Sequence, residues 1–408
     1  MTPELPRYWF KLTPNTAALR TAYGDEQESL FDAHSFQAVR RTITTWPGYR
    51  ATPLRSLPGL AQAAAVASIH YKDEGNRFGM GSFKPLGGAY AVARLLVERI
   101  RKARHLPELD TDELFSGNHQ DILSSTTVTA ATDGNHGRSV AWGAKMFGCR
   151  CVIFIHETVT PGRERAIAAL GAEVRRTPGT YDDAVRTAQQ TANREGWYVI
   201  PDTSHGESTE APLNVMRGYT LMAAEAIEQL PYREPPTHLF LQAGVGGMAA
   251  AVVAHFWRIH GSQRPLSILV EPHSAACWYL SLKMGRPTPA TGPLDSIMAG
   301  LSCGEISHLA WKVLLPGADA ALQIDDDAAA DSMRLLANDR YGDGPLVAGE
   351  SGVAGLAGLL ATAGNAAARQ ELCMDEHSRI LVFGTEGASD PDTYHGIVGS
   401  RPEEICRG

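Results

Sequence analysis

Four short segments of the chain carry residues able to do chemistry. In Ser82-Phe83-Lys84-Pro85-Leu86-Gly87-Gly88 a single lysine stands between an aromatic residue and a glycine pair, just ahead of an apolar, helix-like run. A lysine amine condenses with an aldehyde, which makes Lys84 a candidate covalent anchor. Thr132-Asp133-Gly134-Asn135-His136-Gly137 follows a strand-like run and opens a helix-like one. Glycines at such a turn let backbone amides face an anion, here a carboxylate. Ala243-Gly244-Val245-Gly246-Gly247-Met248 follows the apolar run His238 to Gln242. That turn can hold a phosphate at a helix N-terminus without a basic side chain. Gly384-Thr385-Glu386-Gly387 closes the run Ile380 to Phe383 and offers a hydroxyl to a ring nitrogen.

The elements that must position these segments are legible as an alternation. Short β-branched runs at 126–131, 151–155, 173–175, 197–200, 238–242, 266–271, 320–324 and 380–383 are separated by alanine-rich helical runs. The rhythm predicts parallel strands joined by right-handed helical crossovers, hence an α/β protein with two doubly wound, mostly parallel sheets. Each glycine turn follows the carboxyl end of a strand, where open parallel sheets gather ligands, so the turns are expected to share one cleft. Proline and polar residues at Pro201 to Gly206 and Pro231 to Pro236 break the periodicity. They suggest a small domain at 91–214 and a large one built from 1–90 and 215–408. Leu106 to Ser125, with Pro107, Gly117 and five acidic residues, reads as an exposed connection.

A lysine, an asparagine-bearing glycine loop, a glycine-rich phosphate turn and a late hydroxyl, in that order, resemble the fold-type II enzymes dependent on pyridoxal phosphate. These are the threonine and serine dehydratase-like enzymes, with the tryptophan synthase β-like fold. The resemblance runs from about Arg50 to Ser389. Asn76-Arg77-Phe78-Gly79, Ser82 to Tyr90, and Ala131-Thr132-Asp133-Gly134-Asn135-His136-Gly137-Arg138 look in particular like the diaminopropionate ammonia-lyases. That resemblance implies pyridoxal 5'-phosphate as cofactor and conversion of 2,3-diaminopropionate, in both D- and L-forms, to pyruvate and two ammonia. It also implies a homodimer.

The same resemblance distributes roles. Lys84, beside Phe83, forms the imine with the cofactor and serves as base for the L-substrate, while Asp133 takes the Cα proton of the D-substrate; Asp133 equally suits a helix N-cap. Asp133 also separates the chain from threonine dehydratases, which usually carry a serine there. Gly134, His136, Tyr181 and Asp202 line the substrate site, with Asp202 binding the side-chain ammonium or, alternatively, capping the turn Pro201-Asp202-Thr203. His136 reads as a packing and hydrogen-bonding residue rather than an acid. Asn135 meets the cofactor's phenolic oxygen. Gly244, Val245, Gly246, Gly247 and Met248 take its phosphate, and Thr385 faces its ring nitrogen. A neutral hydroxyl there favours elimination over transamination.

Composition excludes other classes. With 408 residues, 44 % hydrophobic and 20 % charged, the chain is long enough for two domains around a substantial core. A net charge of -8, with both signs interspersed, gives no footprint for nucleic acid. No signal peptide and no bilayer-length apolar run is visible, so the cytoplasm is the expected location. The six cysteines form no Cys-x-x-Cys pair, and His156-Glu157 lacks the second histidine of a zincin because Thr160 occupies its place. Whether Cys277 and Cys303 approach each other is left open by their spacing. Three rivals stand beside the main reading: a serine or threonine dehydratase-like eliminase, a non-catalytic binder of an amino acid or pyridoxal phosphate, and a nicotinamide-dependent dehydrogenase. Gly244 to Ala249 departs from GxGxxG, which disfavours the last.

Overall fold

The computed structural model describes residues 4–132, 134–204 and 209–405. Asp133, which the sequence singles out, lies outside them. The strands are β1 (Phe10–Pro14), β2 (Leu54–Ser56), β3 (Ser68–Asp73), β4 (Thr127–Ala131), β5 (Arg150–His156), β6 (Glu173–Thr177), β7 (Tyr198–Val199), β8 (His238–Gln242), β9 (Leu266–Pro272), β10 (Ala320–Ile324) and β11 (Arg379–Gly384).

The chain divides into two compact units. One comprises Met1–Asp32, Ala51–Asn76 and Met222–Gly408, the other Ala33–Arg50 and Arg77–Leu221. The boundaries expected at 91 and 214 fall inside the helices Pro85–Ala103 and Glu210–Gln229. The contacts divide the chain at Asn76/Arg77 and Leu221/Met222 instead: the helix Pro85–Ala103 packs against Asn135–Phe147 within the smaller unit, and the helix Glu210–Gln229 runs across the second boundary.

The larger unit holds a seven-stranded sheet of order β1-β10-β9-β8-β11-β3-β2. Its five inner strands run parallel, and the edge strands β1 and β2 pair antiparallel with β10 and β3. Central strands covered on both faces must be apolar throughout, and β8, HLFLQ, is buried at every position. Phe240, Ile268, Val270, Leu322, Leu356 and Leu360 are among the core of this unit, each contributing about 2 kcal/mol by burial. β1, β2 and β3 were not read as strands: β1 and β2 are short and sit at edges, and β3, SIHYKD, interleaves polar residues instead of forming an apolar run.

The smaller unit holds a four-stranded, all-parallel sheet of order β6-β5-β4-β7. Val152 and Phe154 of β5 pack against Ala184 and Ala188 of the helix Tyr181–Glu195. The helix Pro85–Ala103 starts with proline at a position where its missing N–H costs nothing and ends with Arg101 and Lys102 near the carbonyl end. Its Gly88 faces Ser139 and its Ala89 faces Gly143, both on the helix Asn135–Phe147. A Cβ on Gly143 would lie 2.8 Å from Ala89 Cα, so the two helices approach at backbone distance. The stretch 106–125 is not a bare connection; it contains a 3-10 turn at Thr111–Phe115 and a helix at Gln120–Ser125, whose Leu114, Ile122 and Leu123 are buried.

Candidate active site

In the smaller unit, Lys84 sits immediately before the helix Pro85–Ala103. Its Nζ donates to Asp202 Oδ2 at 2.9 Å, with side chains 23 % and 20 % exposed. Burial pushes the Asp202 carboxyl up, but the Lys84 ammonium and His136 outweigh it and hold the group well below the ordinary carboxylate range. Asp202 follows β7, and the segment before it is tethered: His136 Nε2 donates to the Ile200 carbonyl at 2.7 Å. The Phe83 ring lies 5.6 Å from Lys84 Nζ and meets the Tyr219 ring at a centroid distance of 4.6 Å.

Gly87, read in the sequence as backbone beside the lysine, has a packing cause. A Cβ there would come within 2.5 Å of the Tyr219 ring, so glycine lets the helix Glu210–Gln229 seat that tyrosine next to Phe83. Tyr219 escaped the sequence reading because it lies 135 residues beyond Lys84 (219 − 84) in an ordinary amphipathic helix. It is 3 % exposed, and its hydroxyl has no hydrogen-bond partner among the described residues. Burial pushes the phenol up to about 12, with Lys84 pulling it down and Asp202 pushing it up, so the oxygen lies in the field of both.

The loop after β4 is organised by Thr132, whose hydroxyl accepts from the amides of Gly134 at 3.0 Å and Gly137 at 3.1 Å. Thr132 thus satisfies the amide of the third residue of the helix Asn135–Phe147, while the capping role the sequence allows to Asp133 lies outside the described residues. Asn135 is the first residue of the helix Asn135–Phe147 and is half-buried. Tyr181 opens the helix Tyr181–Glu195, exposed, with its ring edge-on to His156 at 6.4 Å.

In the larger unit, Gly244 to Met248 connect β8 to the helix Gly247–His260. Two carbonyls of the turn are engaged on one side: Gly244 O accepts from the Trp278 indole at 3.0 Å and Val245 O from Ser307 N at 2.9 Å. In a trans peptide the following N–H points the opposite way, so the amides of Val245 and Gly246 face away from Trp278 and Ser307. Among the described residues, no amide of 244–248 donates to another group of the chain. Gly246 has φ +95°, and a Cβ there would strike the Trp278 indole, 2.8 Å from Nε1, so only glycine fits. A run of unspent amides at a helix N-terminus is a cradle for an anion. Trp278 is itself set by Glu271, which accepts from the amides of Trp278 and Tyr279 at 2.8 Å each. Thr385, 3 % exposed, follows β11, and since β11 pairs with β8 its hydroxyl lies beside Gln242. No disulfide joins Cys277 to Cys303.

The family model described as pyridoxal-phosphate dependent enzyme matches residues 45–375. Diaminopropionate ammonia-lyases from Escherichia coli K12 and Salmonella typhimurium are each 39 % identical to this chain. The alignments cover 92 % of it and 94 % of the former protein, and 86 % of it and 89 % of the latter. The chain belongs to the diaminopropionate ammonia-lyase family of pyridoxal-phosphate-dependent enzymes. A crystal structure of the Escherichia coli enzyme in complex with an aminoacrylate–PLP azomethine intermediate superposes with a TM-score of 0.86 at 35 % identity, covering 97 % of this chain and 98 % of that one. A tomato threonine deaminase at 21 % identity, TM-score 0.71, shares the fold. Taken one by one, the residues present fit the cofactor of this family: a lysine able to bond an aldehyde precedes the helix Pro85–Ala103, the glycine turn has unspent amides suited to a phosphate, and Thr385 has a buried hydroxyl. In this diaminopropionate ammonia-lyase family member, no helix among the described residues is long and apolar enough to cross a membrane.

Proposed function

We propose that this protein is a pyridoxal-phosphate-dependent carbon–nitrogen lyase that eliminates ammonia from 2,3-diaminopropionate. One diaminopropionate and one water give one pyruvate and two ammonia. The observation that carries this reading is the Lys84 Nζ to Asp202 Oδ2 contact at 2.9 Å. It puts a carboxylate that the ammonium itself holds ionised beside the amine that must bond the cofactor. When that amine is committed to the cofactor's aldehyde carbon, Asp202 loses its cation, and a second ammonium on the substrate replaces it. Serine and threonine bring only a hydroxyl to that position, which leaves the half-buried carboxylate without a counter-charge.

When bound, the cofactor supplies an electron sink for the pair left at Cα. The chain supplies the rest. The amides of 244–248 hold the phosphate, Asn135 meets the phenolic oxygen, and Thr385 meets the ring nitrogen. Lys84, released as a free amine when substrate takes its place, removes the Cα proton of the L-form, and Asp133 serves the D-form. Gly134 and the amides near it orient the substrate carboxylate, with His136 holding the Asp202 segment and Tyr181 bordering the pocket. Asp202 keeps the β-amine protonated, so it departs as neutral ammonia with no separate acid. Released aminoacrylate then hydrolyses to pyruvate and the second ammonia. A homodimer in the cytoplasm is the assembly and location that accompany this reading.

The test is pyruvate formation from D- and L-diaminopropionate against keto-acid formation from serine and threonine. Diaminopropionate should be preferred by a wide margin; a preference for serine or threonine overturns the substrate assignment. Asp202→Asn should raise KM for diaminopropionate by about tenfold, the cost of removing one partner of a partly exposed charge pair.

A further inference from the structure

Gln242 ends β8, 3 % exposed, and its side-chain amide fixes the polarity of Thr385. Gln242 Nε2 lies 3.0 Å from the Gly352 carbonyl oxygen, 2.7 Å from the Phe383 carbonyl oxygen and 2.6 Å from Thr385 Oγ1. Carbonyl oxygens only accept, so the amide atom between Gly352 and Phe383 is the nitrogen; flipped, the amide would press an oxygen against two oxygens. An amide nitrogen accepts no hydrogen bond. The amide's two hydrogens are shared among these three oxygens, so Thr385 Oγ1 cannot donate to Gln242 and its own hydrogen is left over. Among the described residues nothing accepts that hydrogen. A buried donor without an acceptor is destabilising, and a bound acceptor would recover that cost. Gln242 Oε1 has no partner either, so the amide is held by its nitrogen end alone.

We propose that Gln242 is the positioning residue that makes the Thr385 hydroxyl a one-way donor, so that the cofactor's ring nitrogen meets a donor and stays unprotonated. This rests on the reading that Thr385 faces the ring nitrogen. An aspartate at 385 would hold a proton on that nitrogen and strengthen the electron sink. The arrangement here keeps the sink weak, so departure of the β-amine outruns return of the proton to Cα. The sequence gives no sign of it: Gln242 looks like the polar end of an apolar strand, and its three partners lie 110 or more residues away.

The experiment loads the full-length protein with cofactor labelled with nitrogen-15 in the ring and records the ring-nitrogen NMR shift, alongside cofactor affinity from the visible absorbance. Wild type should give the shift of an unprotonated, hydrogen-bonded pyridine between pH 6 and 9. Gln242→Met should move the shift toward that of a pyridine lacking a donor and weaken cofactor binding by about tenfold. Thr385→Val should do the same, and the double variant should be no worse than Thr385→Val alone, because Gln242 acts through Thr385. A protonated ring nitrogen in wild type overturns the proposal without any variant, so the test survives a Gln242→Met protein that fails to fold. A shift that responds to Thr385→Val but not to Gln242→Met also overturns it. A shift indifferent to Thr385→Val would instead remove the underlying placement of Thr385.

Discussion

The lysine-bearing unit and the cradle-bearing unit solve their binding problems with opposite chemistry. Around Lys84 the polar groups are charged, side-chain borne and partly open to solvent, as in the pair with Asp202. Around Gly244 to Met248 and Thr385 they are neutral, largely backbone and buried. A neutral cradle preorganised by Trp278 and Ser307 suits an invariant ligand held through every turnover, whereas mobile charges suit groups that change partners during one. The difference implies that damage to the cradle should be repaired by more cofactor, and damage around the lysine should not.

The largest effect expected is from Lys84→Ala, which on the proposed assignment removes both the bond to the cofactor and a proton acceptor. Pyruvate formation should fall by more than about 10³-fold, and the visible absorbance of lysine-bound cofactor should vanish even at saturating cofactor. Activity left intact would break the assignment of the covalent anchor. Gly246→Ala comes next. Strain at φ +95° together with collision against the Trp278 indole should weaken cofactor binding by about 30-fold, with activity restored as cofactor is added. A loss that excess cofactor leaves unrepaired would erase the distinction between the two units.

How far these features were legible depends on how local their causes are. Gly244 to Met248 and Thr385 stand where the sequence placed them because a strand, a glycine turn and a helix start are consecutive in the chain; β8 and β10 match their expected bounds residue for residue. Strands β1 and β2 were invisible because they are short edge strands with no apolar run of their own. Gly87 and Gly88 were legible as special but not for the right reason. Their small size serves contact with Tyr219 and Ser139, which no local pattern reveals. Trp278, Gln242 and Tyr219 share that fate: each acts across the fold on a residue that the sequence did point out.

Tyr219→Phe sharpens the comparison at smaller scale. The ring contacts with Phe83 and Gly87 survive, and only the buried hydroxyl beside Lys84 and Asp202 is lost. KM for diaminopropionate should rise about tenfold while cofactor affinity stays unchanged. Equal losses in both would mean that the hydroxyl serves packing of the whole unit rather than the substrate.

The smallest effect belongs to Glu271, an acidic group that braces the neutral cradle through Trp278. Burial pushes its carboxyl from 4.5 up to about 8, against the pull of the Trp278 and Tyr279 amides. The folded group therefore keeps a proton that the unfolded chain releases above about 4.5. Its contribution to stability is full below that value, declines as pH rises, and stops changing above about 8, where the folded group ionises too. Thermal unfolding of wild type should show that decline, and Glu271→Gln, which cannot ionise, should show a flatter profile from a lower starting Tm because one amide loses its acceptor. Above pH 8 the ionised carboxylate puts a negative charge behind Trp278 and Gly244, so wild type should also lose cofactor affinity there while the glutamine variant does not. A wild-type affinity that holds steady through pH 9 would mean that Glu271 is already ionised at neutrality and that the cradle tolerates a charge at its back.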